Sequence, residues 1–96
     1  REVPASEAGR QWWDLGSLHS DLDGNLRVLS RFTPSIDQKE KASTGRLYVM
    51  DINCEEKLFR DASINGLPNF GVEWEPSGGD ALIDEVINEV CSTKAT

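Results

Sequence analysis

"RLYVMDINC", residues 46–54, carries two different sets of side chains at alternate positions. One set is Tyr48, Met50, Ile52 and Cys54, and the other set is Leu47, Val49, Asp51 and Asn53. Only the first set is apolar throughout, and a period of two is typical of a strand with one buried side. The stretch therefore predicts a β-strand whose Cys54 side faces the core.

The residues that precede this stretch predict two more strands. Trp12 and Trp13 lie in a short segment that we expect to be a strand ending near Asp14. Residues 23–25, "DGN", are typical of a hairpin turn, and residues 35–45 are polar and predict an exposed loop. Between them the side chains alternate up to Pro34, with Leu26, Val28 and Phe32 on one side and Arg27, Leu29 and Arg31 on the other.

The residues that follow it predict a fourth strand and a helix. Residues 58–67 predict a strand that breaks at Gly66, and a short strand or extended stretch is expected around Val72 to Trp74, closed by Pro76. Residues 77–93 predict the helix, which Ser77 or Asp80 can cap and which Lys94 follows. Its apolar residues recur at helical spacing: Leu82, Ile83, Val86, Ile87 and Val90.

Cys54 and Cys91 are the only cysteines of the chain. Cys54 lies on the apolar side of its strand, and Cys91 lies at the edge of the helix's apolar stripe. Because an amphipathic helix packs that stripe on the apolar face of a sheet, the two thiols belong to surfaces that meet. Two interpretations remain open, a disulfide or two buried free cysteines, and we favour the disulfide.

Length and charge restrict the class of protein. The 96 residues fit one domain, which we place at residues 11–96 after a flexible N-terminal tail at residues 1–10. The formal net charge of −7 argues against a nucleic-acid partner and against binding to anionic membrane surfaces. No apolar run reaches the length of a membrane span, so we expect no membrane insertion.

The sequence contains no pattern that predicts catalysis, a metal site or a cofactor. His19 is the single histidine, and no serine has a companion base that the sequence can place. Residues 21–25, "DLDGN", lack the glycine and glutamate positions of a calcium-binding EF-hand loop. We therefore predict no catalytic residue, no metal ligand and no cofactor.

The adjacent tryptophans predict a binding surface instead. Neighbouring residues of a strand point to opposite faces of the sheet, so one tryptophan faces the core and the other faces away from it. The candidate partner-binding residues are Trp12, Trp13, Arg27, Leu29 and Arg31. The alternative is a tryptophan packed under the tail or under a loop.

Taken together, these segments resemble the surface-adhesin protein E-like family of small exported bacterial domains. The resemblance rests on Trp12 and Trp13, residues 14–18 ("DLGSL"), Gly24, residues 51–54 ("DINC"), Arg60, residues 74–78 ("WEPSG") and residues 89–91 ("EVC"). It implies an α+β fold with an antiparallel sheet of about five or six strands and a C-terminal helix packed on one face. It also implies one disulfide, Cys54–Cys91, and export from the cytoplasm.

We therefore expect a non-enzymatic, exported binding or accessory domain that engages a protein partner through a sheet face or its loops. It would act in the periplasm or at the cell surface. The alternative is a structural subunit or assembly factor of a periplasmic or thylakoid-lumen complex. An exposed tryptophan would favour the binding domain, and a long uncharged edge strand would favour the subunit. A deep pocket joining two carboxylates, or joining His19 to a serine, would favour an enzyme.

Overall fold

The structure is a computed structural model that describes residues 1–6, 9–21, 23–34 and 45–93. Its strands are β1 (Gly9–Trp13), β2 (His19–Ser20), β3 (Leu26–Pro34), β4 (Arg46–Asn53), β5 (Leu58–Ile64), β6 (Leu67–Pro68) and β7 (Glu75–Pro76). A short 3₁₀ turn, Leu15–Ser17, follows β1, and the helix α1 spans Ala81–Thr93. The loop predicted at residues 35–45 lies outside the described residues except for Gly45, and so does Lys94.

All the strand pairs are antiparallel and form one sheet. Its strand order is β1-β3-β4-β5-β6, with β2 also pairing with β3 and β7 also pairing with β5. Because the pairing fixes which residues lie side by side, the apolar set of β4 shares one face with Val28 of β3 and Phe59 of β5. The predicted α+β fold with a C-terminal helix is confirmed.

The helix covers that face, which we call the core face. Its apolar stripe is buried as the helical spacing predicts, and the core consists of Val3, Trp13, Leu26, Val28, Met50, Ile52, Phe59, Leu82, Val86, Ile87 and Val90. The Asp80 side chain caps the helix by accepting hydrogen bonds from the backbone N–H groups of Leu82 and Ile83. Burial of this stripe is what holds the helix on the sheet.

A disulfide joins the end of β4 to the end of α1. Cys54 and Cys91 are bonded, their Cα atoms are 5.6 Å apart, and they are separated by 37 residues in the sequence. The predicted pairing is confirmed, and the interpretation as two free cysteines is wrong. The bond closes a long loop and so lowers the conformational entropy of the unfolded chain. This raises the free energy of unfolding by about 4 kcal/mol.

Two local features differ from the sequence expectations. The short strand expected around Val72 to Trp74 lies later in the chain, at Glu75–Pro76. There it pairs with Phe59 and Leu58 of β5. The break at Gly66 is also a hairpin turn, in which Asn65 and Gly66 both have positive φ and β6 returns along β5.

The described residues of the expected tail lie against β1. Val3 is 1% exposed and belongs to the core, and its backbone N–H donates to the carbonyl of Gln11. The backbone of Glu2 forms an isolated antiparallel β-bridge with Trp12, and that of Ser6 forms one with Gly9. A single apolar residue among polar neighbours has no period, which is why the sequence pattern did not place Val3 in the core.

Candidate functional site

The second face of the sheet carries most of the predicted site residues. We call it the open face, because no helix covers it among the described residues. Trp12 pairs with Arg31 across β1 and β3, and Leu29 pairs with Val49 across β3 and β4. Arg27 lies beside Asp51, which itself pairs with Arg60 of β5. Apolar and cationic side chains therefore share one surface.

The two tryptophans separate as strand geometry requires. Trp12 is half-buried on the open face, with the Arg10 guanidinium 4.9 Å from its ring centroid. Trp13 is 1% exposed in the core, and its indole N–H donates to Oε1 of Glu89 on α1 at 2.9 Å. Trp13 is therefore corrected to a core residue, whereas Trp12, Arg27, Leu29 and Arg31 all lie on the open face.

An ion cluster occupies the part of the open face over β4. Asp51 is completely buried although no helix of the described ranges lies over it, because two arginines lie across it. Nε and Nη2 of Arg27 donate to its two carboxylate oxygens at 2.7 and 3.1 Å, and Nε of Arg60 donates at 3.0 Å. Burial alone would raise the pKa of Asp51, but these hydrogen bonds and charges outweigh it and lower that pKa. Asp51 is therefore a carboxylate at neutral pH.

Arg60 is held by a second contact as well. Its guanidinium lies 4.4 Å from the ring centroid of Trp74, within the range of a cation–π interaction. Its Nε is used by Asp51, and no hydrogen bond of the described residues uses its two terminal NH₂ groups. Asp51 thus holds one edge of the guanidinium and Trp74 covers one of its faces, while its terminal NH₂ groups have no hydrogen-bond partner in the part of the chain that the structure describes.

A groove runs beside this cluster. Its volume is about 540 Å³, and its lining includes Arg27, Val49, Asp51, Arg60, Pro68 and Phe70. A second depression of about 300 Å³ lies over Trp12, Leu29, Arg31 and Leu47. Both are open to solvent, so they are suited to a macromolecular surface rather than to an enclosed small molecule.

The segment after the Asn65-Gly66 turn forms one wall of the groove. Phe70 lines the groove and is 91% exposed. Leu67 is 72% exposed but pairs with Ile64, so it lies on the core side of the sheet rather than in the groove. Large apolar side chains this exposed indicate a contact surface when they lie beside other apolar residues. Phe70 was not predicted as a site residue, because it belongs to no periodic segment of the sequence.

A smaller cavity lies on the core face and contains two carboxylates. It has a volume of about 130 Å³ and is lined by Asp61, Asp80, Tyr48 and Met50, among others. Burial, together with the charge of Glu75, raises the pKa of Asp61 to about 6. Asp80 is already committed to capping the helix, since one of its oxygens accepts two backbone N–H groups. The pair therefore lacks a second carboxylate that is free to act.

The other groups considered for chemistry lie apart. The Nδ1 atom of His19 is 2.8 Å from the backbone carbonyl oxygen of Ser17. His19 is exposed in the short strand β2, and Ser17 lies in the 3₁₀ turn before it. Within the described ranges, no three His, Cys, Asp or Glu side chains are grouped so that they could hold a metal ion. No helix of the described residues has the length and apolar character needed to span a bilayer.

Three residues of the open face were quoted for the family resemblance but were not predicted as site residues. Asp51, Arg60 and Trp74 come from three separate segments, and the structure brings them into one chain of contacts with Arg27. A usable signal existed for one of them. Asp51 is a charged residue in the middle of a central strand, where an unpaired carboxylate is costly, and this predicts a cationic partner beside it.

Comparison with known proteins identifies the family of the chain. Neither curated proteins nor solved structures give a match. Comparison with protein families gives a match to the surface adhesin-E family over residues 1–96, which is the whole chain. The chain therefore belongs to the surface adhesin-E family.

Proposed function

We propose that this chain is a non-enzymatic binding domain that holds a protein partner on the open face of its sheet. The observation that carries the proposal is the composition of this face. Trp12, Leu29 and Val49 supply apolar area, and arginines surround them. Aromatic side chains and arginine are the residues most enriched at protein–protein interfaces and among those that contribute most binding energy.

The family and the disulfide suggest an exported protein. The name of the family refers to a surface adhesin, and structural disulfides persist in oxidising compartments outside the cytoplasm. We therefore place the domain in the periplasm or at the cell surface. The family match offers no support for the thylakoid-lumen alternative.

The edges of the sheet favour a binding domain over a structural subunit. A subunit that extends a sheet needs a long exposed edge strand. Here the outer edge of β1 is occupied by Glu2 and Val3, and the strands at the opposite edge, β6 and β7, have two residues each. Pairing through an edge therefore has little free backbone to use among the described residues.

The candidate catalytic groups also support a non-enzymatic role. Asp51 is held by two arginines, Asp80 caps the helix, and His19 contacts a backbone carbonyl. A general acid or base has to reach a substrate proton in a cleft, which these arrangements do not offer.

A binding panel tests the proposal. The oxidised domain would be immobilised and exposed to purified proteins of the cell envelope and of surfaces to which cells adhere, and the protein that binds saturably would be taken as the partner. We expect Trp12→Ser and Leu29→Ser each to raise the Kd by at least tenfold, since both remove apolar area from the open face.

The matched control is Asn88→Ser, an exposed position on the helix side of the molecule. It should leave the Kd unchanged, and circular dichroism should show that all three variants are folded. A partner that binds both open-face variants as tightly as the wild type, but binds Asn88→Ser weakly, would move the binding surface to the helix and contradict the proposal.

A further inference from the structure

We infer that the open face takes an acidic, extended segment of its partner, with Arg60 as the anchor for one carboxylate and Arg31 as a second cationic contact. The inference rests on the proposed function and adds the chemical class of the ligand. Four features of the molecule support it: the division of charge between the two faces, the contacts that hold Arg60, the exposure of Arg31, and the side chains that lie between the two arginines.

Charge is distributed unevenly over the molecule. The chain has a net charge of −7, with 17 acidic and 10 basic residues. The charged strand residues of the open face are nevertheless four arginines and one aspartate, namely Arg10, Arg27, Arg31, Arg60 and Asp51. Glu2 at the sheet edge pairs with Arg10. Asp14 and Arg1 also line the depression over Arg31, and the charge of Asp21 acts on Arg27. With these residues included, five arginines face four carboxylates, so the face keeps a small cationic excess on an acidic chain and complements an acidic surface.

Arg60 is prepared to bind a carboxylate. Asp51 fixes its Nε edge and Trp74 covers one face of its guanidinium, so little side-chain freedom is left to lose on binding. Its side chain is 31% exposed, and its terminal NH₂ groups have no hydrogen bond among the described residues. Two parallel N–H donors match the two oxygens of a carboxylate, which is the strong form of this hydrogen bond.

Arg31 offers the second contact because it is exposed and no ion pair of the described residues involves it. Arg31 pairs with Leu47, Arg60 pairs with Asp51, and β4 lies between the two arginines. Two strand spacings across the sheet and four residues along it separate their backbones by roughly 16 Å. An extended segment of about five residues spans this distance.

The side chains between the two arginines favour a peptide over a purely anionic polymer. Leu29 and Val49 are half-buried neighbours on this surface, and the exposed Phe70 stands at its margin. An extended peptide can place acidic and apolar side chains along the same surface, whereas a phosphate or sulfate polymer has no apolar group for this area. We therefore assign the surface to an acidic protein segment.

Fluorescence anisotropy with designed peptides tests the inference. The probe is a labelled ten-residue peptide, blocked at both ends, whose five alternate positions carry Glu, Glu, Val, Glu and Glu in that order. Alternate residues of an extended chain lie on the same side. The wild-type domain should bind this probe at least tenfold more tightly than the matched peptide with Gln at the four positions.

Three variants locate the binding. Arg60→Gln should weaken binding of the Glu probe by at least tenfold, and Arg31→Gln by at least threefold. Arg46→Gln makes the same chemical change on the other side of β4 and should leave the affinity unchanged. If Arg60→Gln does not fold, Arg60→Lys replaces it, because lysine keeps the charge but not the paired donors, and should weaken binding at least threefold.

Several results would overturn the inference. Equal affinity of the wild-type domain for the Glu and Gln peptides would do so. So would folded Arg60→Lys and Arg31→Gln variants that each bind the Glu peptide with wild-type affinity. Tighter binding of heparin than of the Glu peptide would assign the face to a polyanion instead. If the Glu peptide fails to bind while Trp12→Ser still weakens binding of the panel partner, only this inference fails. If both effects are absent, the proposed function fails as well.

Discussion

The two faces of the sheet each contain an aspartate, and the two carboxylates differ in almost every respect. Asp51 on the open face is fully buried and hydrogen-bonded to two arginines, and its pKa is lowered. Asp61 on the core face is half-buried, has no ion pair among the described residues, and lies near the acidic Glu75, so its pKa is raised to about 6. Burial by itself raises the pKa of both carboxyl groups, and only the two arginines beside Asp51 reverse the direction of the shift.

The two faces also differ in the interactions that stabilise them. The core face is stabilised by apolar burial under α1 and by the Cys54–Cys91 bond. The open face is held by ion pairs and by arginine–tryptophan contacts, which leave cationic groups available to a ligand. A change to the core face should therefore act mainly on stability, whereas a change to the open face should act on both stability and binding.

The largest effect should come from the tryptophan of the core face. Trp13→Ala leaves a large cavity and an unpaired Glu89, so we expect the free energy of unfolding to fall by about 5 kcal/mol. Trp12→Ala is the matched control on the open face and should cost at most about 1 kcal/mol. Urea denaturation measures both values. Similar losses for the two variants would mean that the open face is as tightly packed as the core.

The disulfide of the core face should come next. Replacing both cysteines by alanine should lower the free energy of unfolding by about 4 kcal/mol, because the unfolded chain regains the freedom of a 37-residue separation. Reduction of the wild type by dithiothreitol is the independent check and should give a similar loss. A change below about 1 kcal/mol would show that apolar burial alone holds α1 on the sheet.

The ion cluster of the open face should give a smaller loss. Asp51→Ala leaves Arg27 and Arg60 next to each other without their shared anion, and we expect a loss of about 3 kcal/mol at pH 7. Glu55→Gln removes an exposed carboxylate and should change stability by less than about 0.5 kcal/mol. Because the pKa of Asp51 is lowered, its contribution is present above its unfolded pKa of 3.8 and is lost as the pH falls through the folded value.

The smallest effect should come from Asp61 and should have the opposite sign. With its pKa raised from 3.8 to about 6, folded Asp61 binds its proton more tightly than unfolded Asp61, so stability falls as the pH rises between these values. Asp61→Asn should therefore increase the free energy of unfolding by about 2 kcal/mol at pH 7 and have little effect below pH 4. Thermal melting from pH 4 to pH 8 measures the difference, and a loss of stability at pH 7 would contradict the raised pKa.

Local patterns predicted the long strands and the helix, and they favoured the disulfide over two free cysteines. The alternation of Tyr48, Met50, Ile52 and Cys54 has the period of a strand, and the stripe that ends near Cys91 has the period of a helix. Burial of both apolar surfaces is most easily achieved by bringing them together, which is why the Cys54–Cys91 pair could be predicted before any coordinates. Patterns of this kind depend only on neighbours in the chain.

The site was only partly predictable for a related reason. Strand parity shows that Trp12 and Trp13 face opposite ways, but it does not say which of them is covered. That depends on the side of the sheet on which α1 packs, where Glu89 accepts the indole N–H of Trp13. Phe70 was missed because it lies beyond the last regular alternation, where no period marks it.

Residue order alone thus led to an α+β domain with a disulfide-linked helix, a surface of alternating Arg27, Leu29 and Arg31, and membership of the surface adhesin-E family. It could do so because each of these depends on short-range periodicity or on a pattern of motifs along the chain. The folded chain was needed for the core position of Val3 and for the contacts that join Asp51, Arg60 and Trp74. Those contacts arise from strand register and from loop paths, which bring together residues that no local pattern connects.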